Sequence, residues 1–234
     1  MKIHCIICTR DRNLNIVTQG LVKTLSSYGV NVKLNAGATS IFEAYHATTN
    51  GGTGHGSSID PDDIVILCHD DLKIFNDQAS FVAALSQCLE PKTGIIGPAG
   101  TTSLGENAIW WDQDRWAKGL HSGVVWHPGA EGQADVMKTE YGPHREVVVL
   151  DGLFLAAQKK VWDHVGLEKP AYFEGEWDFY DIHYTSKAHL LGYENYSVPI
   201  SVLHYSRGEL AGRDSWHKNR VAFIENTKLP LEIV

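Results

Sequence analysis

The sequence predicts an α/β domain on a mostly parallel, doubly wound sheet. Two features predict it. Short apolar runs such as Ile64-Val65-Ile66-Leu67-Cys68 suit strands buried on both faces, and they alternate with segments whose apolar residues recur at helical spacing. Repeated strand, helix, strand order leads to parallel pairing with helices covering the sheet.

From the N-terminus, Ile3 to Cys8 forms an apolar strand, and Thr9-Arg10-Asp11-Arg12-Asn13 a polar loop after it. Leu14, Val17, Leu21, Leu25 and Tyr28 then mark a helix that Gly29 stops. Val30, Val32 and Leu34 alternate as a second strand, and Ser40 to Thr49 is a helix with Ile41, Phe42, Ala44 and Tyr45 on its apolar side. Asn50 to Pro61 is a glycine-rich loop leading to the Ile64 strand. Phe81, Leu85 and Leu89 mark a helix, and Gly94-Ile95-Ile96-Gly97 a short strand. Pro98 to Arg145 has no sustained period and reads as irregular. Val147 to Leu150 restores a buried strand ending at Asp151-Gly152, and a helix follows around Lys159 to Val165. Asp181 to Leu191 is a helix closed by Gly192, and Val198, Ile200 and Val202 alternate up to His204. The tail from Arg207 carries Trp216 and Phe223 without a periodic pattern.

Bulk properties exclude several classes. A chain of 234 residues can bury a substantial core as one domain, and no repeat or linker divides it. The 20 basic against 28 acidic residues, without a basic run, argue against a nucleic-acid partner. Met1-Lys2-Ile3-His4 leads into a strand without the apolar core of a signal peptide, and no stretch is long enough to span a membrane, so the expectation is a cytoplasmic chain. Cys5 and Cys8 have redox spacing but lie within a strand pattern, where they read as buried thiols. Asn195-Tyr196-Ser197 matches a glycosylation acceptor, which has no meaning without secretion.

The acidic pair Asp70-Asp71 directly follows the Ile64 strand and His69. Adjacent carboxylates repel unless a cation or strong donors neutralise them, and hard oxygen ligands suit Mg²⁺ or Mn²⁺; the alternative is that one of them caps a helix. His204 ends another strand, and an open α/β sheet gathers strand ends along one crevice, so Asp71 and His204 are expected to share one ion. Asp181, beside Trp177, Phe179 and Tyr180, has the apolar neighbours that raise a carboxyl's proton affinity and suit a general base. Asp178, Glu174 and Glu176 compete for that role. Trp110-Trp111 and Trp177 read either as core or as platforms for a sugar ring. Gly51 to Gly56 lacks the ending of a P-loop and reads as a loop.

With these residues in order, the chain resembles the family 2 glycosyltransferase-like proteins of the GT-A fold. The landmarks are Thr9-Arg10, Ser40-Ile41-Phe42-Glu43-Ala44-Tyr45, His69-Asp70-Asp71, Asp151-Gly152, Phe179-Tyr180-Asp181 and His204-Tyr205-Ser206. The resemblance implies a single catalytic domain over 1–234, with a nucleotide-binding half at 1–97, an acceptor-binding half at 98–225 and a tail at 226–234. It implies a nucleotide-diphosphate sugar as donor, Mn²⁺ or Mg²⁺ as cofactor, and a carbohydrate or glycoconjugate acceptor. His69-Asp70-Asp71 looks like the family's short acidic DXD motif with histidine in first place, giving Asp71 and His204 as metal ligands and Asp70 as a contact to ribose or metal-bound water. Asp181 looks like the base, with Tyr180 where an acidic residue usually precedes it, and Asp151 like the carboxylate lining the acceptor side. Thr9, Arg10, Asn35, Ser40 and Tyr45 fall where the family surrounds base and ribose. The implied reaction is inverting transfer by direct displacement. A metal-dependent phosphohydrolase and a non-catalytic nucleotide- or carbohydrate-binding module are the alternatives.

Overall fold

A computed structural model describes residues 1–50, 59–129, 136–206 and 214–233. The glycine-rich segment from Gly51 to Gly56 lies outside the described residues. In chain order the strands of the first half are β1 (Ile3–Thr9), β2 (Asn31–Ala36), β3 (Ile64–His69), β4 (Leu72–Ile74), β5 (Thr93–Gly97), β6 (Ala99–Thr101) and β7 (Ser103–Leu104). Those of the second half are β8 (His121–Pro128), β9 (Val136–Gly142), β10 (Glu146–Val147), β11 (Val149–Leu150), β12 (Phe154–Gln158), β13 (Glu194–Ser197), β14 (Val202–His204) and β15 (Leu231–Glu232). The helices are α1 (Ile16–Ser27), α2 (Ile41–Thr49), α3 (Gln78–Leu85), α4 (Gln113–Ala117), α5 (Lys159–Val165), α6 (Tyr180–Leu190) and α7 (Asp214–Asn226).

The main sheet has the order β10-β13-β5-β12-β3-β1-β2. β2, β1, β3, β5 and β13 share one direction, and β12 and β10 run against it. The apolar runs of β1, β3, β5 and β12 are buried almost throughout, which accounts for their lack of alternation. After β1 the chain goes through α1 to β2 on one side, then through α2 to β3 on the other. This reversal opens a crevice outside the carboxyl ends of β1 and β3, where Cys8 is paired with His69. Local chemistry fixes the helix starts: Asn15 accepts from the Val17 and Thr18 amides, Ser40 from Glu43, and Asp77 from Ser80. Gly29 and Gly192, at φ +80 and +87, stand just past the ends of α1 and α6 as expected from sequence.

Four segments differ from the sequence expectation. The stretch 98–145 is not irregular: it carries β6 to β9 and α4, and a second sheet of order β11-β6-β8-β14-β4 stands beside the first, with β9 on β8. Its strands are short or bulged, so they show no sustained period. The run Val147 to Leu150 is two strands, because β10 pairs with β13 of the main sheet and β11 with β6 of the second. The alternation of Val198, Ile200 and Val202 breaks at Pro199, where Ile200 N–H turns back to the Val198 carbonyl at 2.7 Å, leaving β14 only three residues. The tail contains α7, whose one buried flank of Trp216, Asn219 and Phe223 includes a polar residue and so hides the period. β12, between β3 and β5, also lacked a sequence signal, and through it the two halves of the chain share one sheet.

All four cysteines are buried free thiols, and burial raises the Cys8 thiol to about 12. No helix among the described residues is long and apolar enough to cross a membrane. Asn195, the apparent glycosylation site, is fully buried. Its carbonyl oxygen accepts from Ile95 N–H at 2.9 Å, and its amide donates to the Val148 carbonyl at 2.9 Å and the Thr185 carbonyl at 2.8 Å, tying β5, the β10–β11 junction and α6 together. Asn195→Ala, which takes this partner from the Ile95 amide and the Val148 carbonyl, is expected to lower unfolding stability by about 2–4 kcal/mol, measured by urea titration.

Candidate active site

The corner after β3 is where the chain passes between sheets. β3 ends at His69, and β4 begins at Leu72 and pairs antiparallel with β14, so that His204 lies opposite Leu72. Tyr205 N–H donates to the Asp71 carbonyl at 3.0 Å and fixes this junction. The result brings together side chains more than 130 positions apart: His204 Nε2 stands 3.4 Å from Asp71 Oδ1, and His69 Nδ1 stands 3.8 Å from the same oxygen. One donor atom from each of the three lies within 4.8 Å of the others.

This cluster fits a divalent ion on its own geometry. With bonds of about 2.1 Å, adjacent donors of an octahedral ion lie about 3 Å apart and opposite ones about 4.2 Å, and the 3.4 and 3.8 Å separations from Asp71 fall between the two. Asp71 Oδ1 and His204 Nε2 are buried atoms without a hydrogen-bond partner, a costly condition that a cation between them would relieve. Burial tends to raise the Asp71 carboxyl, but His204 and His69 hold it below the usual range. Burial works to lower His204, and Asp71 outweighs it, so that imidazole is held above its ordinary value. His69 is pushed down to about 4 by burial and by His204 against the pull of Asp71 and is neutral at pH 7.

Beside the cluster, Asp151 follows β11 and Asp181 lies in the first turn of α6. Both are recessed among protein atoms while remaining partly open to solvent. Asp181 Oδ2 accepts from the Gly152 amide at 3.1 Å, and Asp151 Oδ1 from Leu153 at 3.2 Å. Burial, and then the charge of Asp151, raises the Asp181 carboxyl to about 7; burial raises Asp151 as well. A Cβ on Gly152 would stand 2.4 Å from Tyr180 Oη and 2.8 Å from Asp181 Cβ, so only glycine lets the two strand and helix ends meet.

The start of α6 is held from behind by α7. Asn219 accepts from Gly175 N–H at 2.9 Å and donates to the Gly175 carbonyl at 3.1 Å and the Asp178 carbonyl at 2.9 Å, while Ser215 Oγ donates to Asp178 Oδ2 at 2.5 Å. Asp178, a competing base from sequence, is thus turned toward α7. Phe179 adopts φ +70, a left-handed conformation costing a non-glycine residue roughly 1–2 kcal/mol. Its buried ring packs on Phe173, Trp216 and Phe223, which offsets that cost. Glu174 pairs with Lys218 and Glu176 with Lys169, so these two carboxylates have cationic partners elsewhere.

Of the positions expected to surround the nucleotide, Thr9, Arg10 and Asp70 stand at the carboxyl ends of β1 and β3. Burial raises the Asp70 carboxyl and Thr9 works to lower it, and the Arg10 guanidinium stacks 4.3 Å over the Trp177 ring, itself anchored to the Thr39 carbonyl at 3.1 Å. The other three have structural work. Tyr45 is completely buried with its hydroxyl toward the Cys68 carbonyl, Ser40 caps α2, and the Asn35 amide donates to Ala44 and Thr48 of that helix. Trp110 is core, while Trp111 is half-buried between it and Trp216. A depression of about 230 Å³ beside α2, lined by residues including Glu43, His46 and Glu168, contains none of the cluster residues. Sequence reasoning missed three residues. In the sequence His69 reads only as a departure from an acidic motif. Tyr180 hydrogen-bonds it, and half-buried His127 of β8 lies with its ring 6.1 Å from that of His204. His127 falls in the stretch without periodicity, where nothing distinguished it.

A family described as glycosyltransferase-like matches residues 37–225. No curated protein matches the chain. Among solved structures, GalNAc-T7 with UDP, GalNAc and Mn²⁺ is 12% identical with a TM-score of 0.54; 96% of this chain covers 47% of that one, so the chain spans about half its length. A197 from STIV is 10% identical, with a TM-score of 0.49 over 88% of this chain and 86% of that one. A 4-diphosphocytidyl-2C-methyl-D-erythritol synthase is 10% identical, with a TM-score of 0.36 over 95% and 98%. At such identities the likeness bears on the fold alone.

The raised Asp181 carboxyl has a stability consequence. A carboxyl with a folded-state pKa of about 7, above its ordinary 3.8, holds its proton more tightly folded than unfolded. Its favourable contribution is present at low pH and is lost as pH rises through that window. Asp181→Asn should therefore melt several degrees above the parent at pH 8 and close to it at pH 4, as metal-free thermal scans would measure.

Proposed function

This chain belongs to the glycosyltransferase-like family, and from that premise we propose that it moves a sugar from a nucleotide-diphosphate donor to an acceptor hydroxyl in a divalent-metal-dependent, inverting displacement. The observation that carries this reading is the meeting of Asp71 and His204 at 3.4 Å in the crevice that also holds Asp181.

Asp71, His204 and His69 would hold the ion. Two imidazoles with one carboxylate favour a transition ion such as Mn²⁺ over Mg²⁺. When bound, such an ion supplies positive charge against the diphosphate that departs with the nucleoside. Thr9, Arg10 and Asp70, at the carboxyl ends of β1 and β3, bind the nucleotide side of the donor. Asp181 is the base: with a pKa of about 7 it is substantially ionised at neutral pH yet basic enough to take a hydroxyl proton. As the acceptor oxygen loses that proton to Asp181, it bonds the anomeric carbon, and the bond from that carbon to the phosphate oxygen breaks on the opposite face. Configuration inverts. Asp151, alongside, lines the acceptor side, and its charge adds to burial in raising the proton affinity of Asp181.

A thermal-shift screen of nucleotide sugars with Mn²⁺ would identify the donor, since a ligand at 100 times its dissociation constant stabilises by about 2.7 kcal/mol. Asp71→Ala should abolish the Mn²⁺-dependent part of donor binding in calorimetry. Asp181→Asn should retain donor binding and lose at least about 100-fold in turnover. Release of phosphate without sugar transfer would overturn the transferase reading in favour of a hydrolase, and donor binding without turnover in the parent would leave a binding module.

A further inference from the structure

His69 has two ring nitrogens, and a neutral imidazole carries its proton on one of them. Nδ1 faces Asp71 at 3.8 Å, and Nε2 lies 2.6 Å from Tyr180 Oη. The phenol has a single proton to give, and the Gly152 carbonyl, which can only accept, stands 2.9 Å from the same oxygen. The Tyr180 proton therefore points to Gly152, and the short contact to His69 is satisfied only if Nε2–H donates to the phenol oxygen. A hydrogen-bonded line thus runs from His69 through Tyr180 to the backbone of Gly152 and leaves the Nδ1 lone pair on the side of Asp71.

We propose that Tyr180 is a positioning residue that locks His69 in the Nε2-protonated tautomer, so that Nδ1 is presented as a donor to the space shared with Asp71 and His204. The inference rests on the divalent-ion site proposed above. An imidazole's second nitrogen commonly sets which nitrogen meets a metal and how the ring is aimed. Here the partner is itself fixed. Tyr180 is 4% exposed, and its ring packs edge-on against Phe42, Tyr45 and Tyr184 with centroids 5.9–6.3 Å away. The neighbouring residue in the chain is Asp181, so the first turn of α6 would orient the metal donor with one side chain and supply the base with the next.

Two measurements test this. In ¹⁵N-histidine NMR of the metal-free protein at pH 7.5, with His69 assigned by comparison with His69→Gln, the expected signature is a protonated, pyrrole-type Nε2 and an unprotonated, pyridine-type Nδ1; the reverse tautomer or an equal mixture overturns the proposal. In calorimetry with Mn²⁺ alone, Tyr180→Phe, which keeps the ring and deletes the hydroxyl, should bind the ion about 10- to 100-fold more weakly than the parent. Binding within twofold of the parent by a folded Tyr180→Phe overturns it too. Failure of the ion-site reading looks different: the parent would not bind Mn²⁺, or Asp71→Ala would bind it equally well, while the NMR signature still decides the tautomer.

Discussion

Everything at the site depends on one backbone register, the antiparallel pairing of β4 with β14 that sets His204 opposite Leu72. β3 is confined to the main sheet by apolar burial on both faces, and β4 can reach the second sheet only by turning through His69-Asp70-Asp71. The polar corner is therefore where the two sheets meet over one shared core. A one-residue slip of β14 would turn His204 to the opposite face of the second sheet and replace it with Leu203 or Tyr205. The Tyr205 amide on the Asp71 carbonyl resists that slip at the place where it matters.

Gly152 is the second meeting point. Its amide serves Asp181 and its carbonyl serves Tyr180, so a single peptide residue connects the proposed base with the line leading to His69. Two of the positions at which the chain departs from the pattern it resembles, His69 and Tyr180, touch each other. A neutral hydroxyl beside an imidazole leaves that ring uncharged, where a carboxylate would draw a second proton onto it.

The fold class was legible because apolar runs and helical spacing are consequences of burial, and burial is what the sheet and helices share. Asp71 and His204 were legible for a related reason: a polar group at the end of an otherwise apolar run has little purpose in a core. Other positions carried no such contrast. Ser40 at a helix start and Tyr45 on an apolar helix face look the same whether they cap and pack or touch a ligand, and the structure gives them the former work. The split of Val147 to Leu150 between two sheets was hidden because both halves are equally apolar. His127 and Tyr180 meet the cluster through contacts 77 and 111 residues away in sequence, which no local pattern encodes.

The clasp between α7 and the segment before α6 orders events in time as well as in space. Gly175 and Asp178 are secured by Asn219, which follows them by 44 and 41 residues. During synthesis the Asp71–His204 corner and the main sheet can form while the chain is still growing, whereas the left-handed turn at Phe179 lacks most of its support until Trp216, Asn219 and Phe223 have emerged. A nascent chain can therefore set Asp71 against His204 before the turn leading into Asp181 is clasped, and the first turn of α6 takes its final shape only with docking of the last helix.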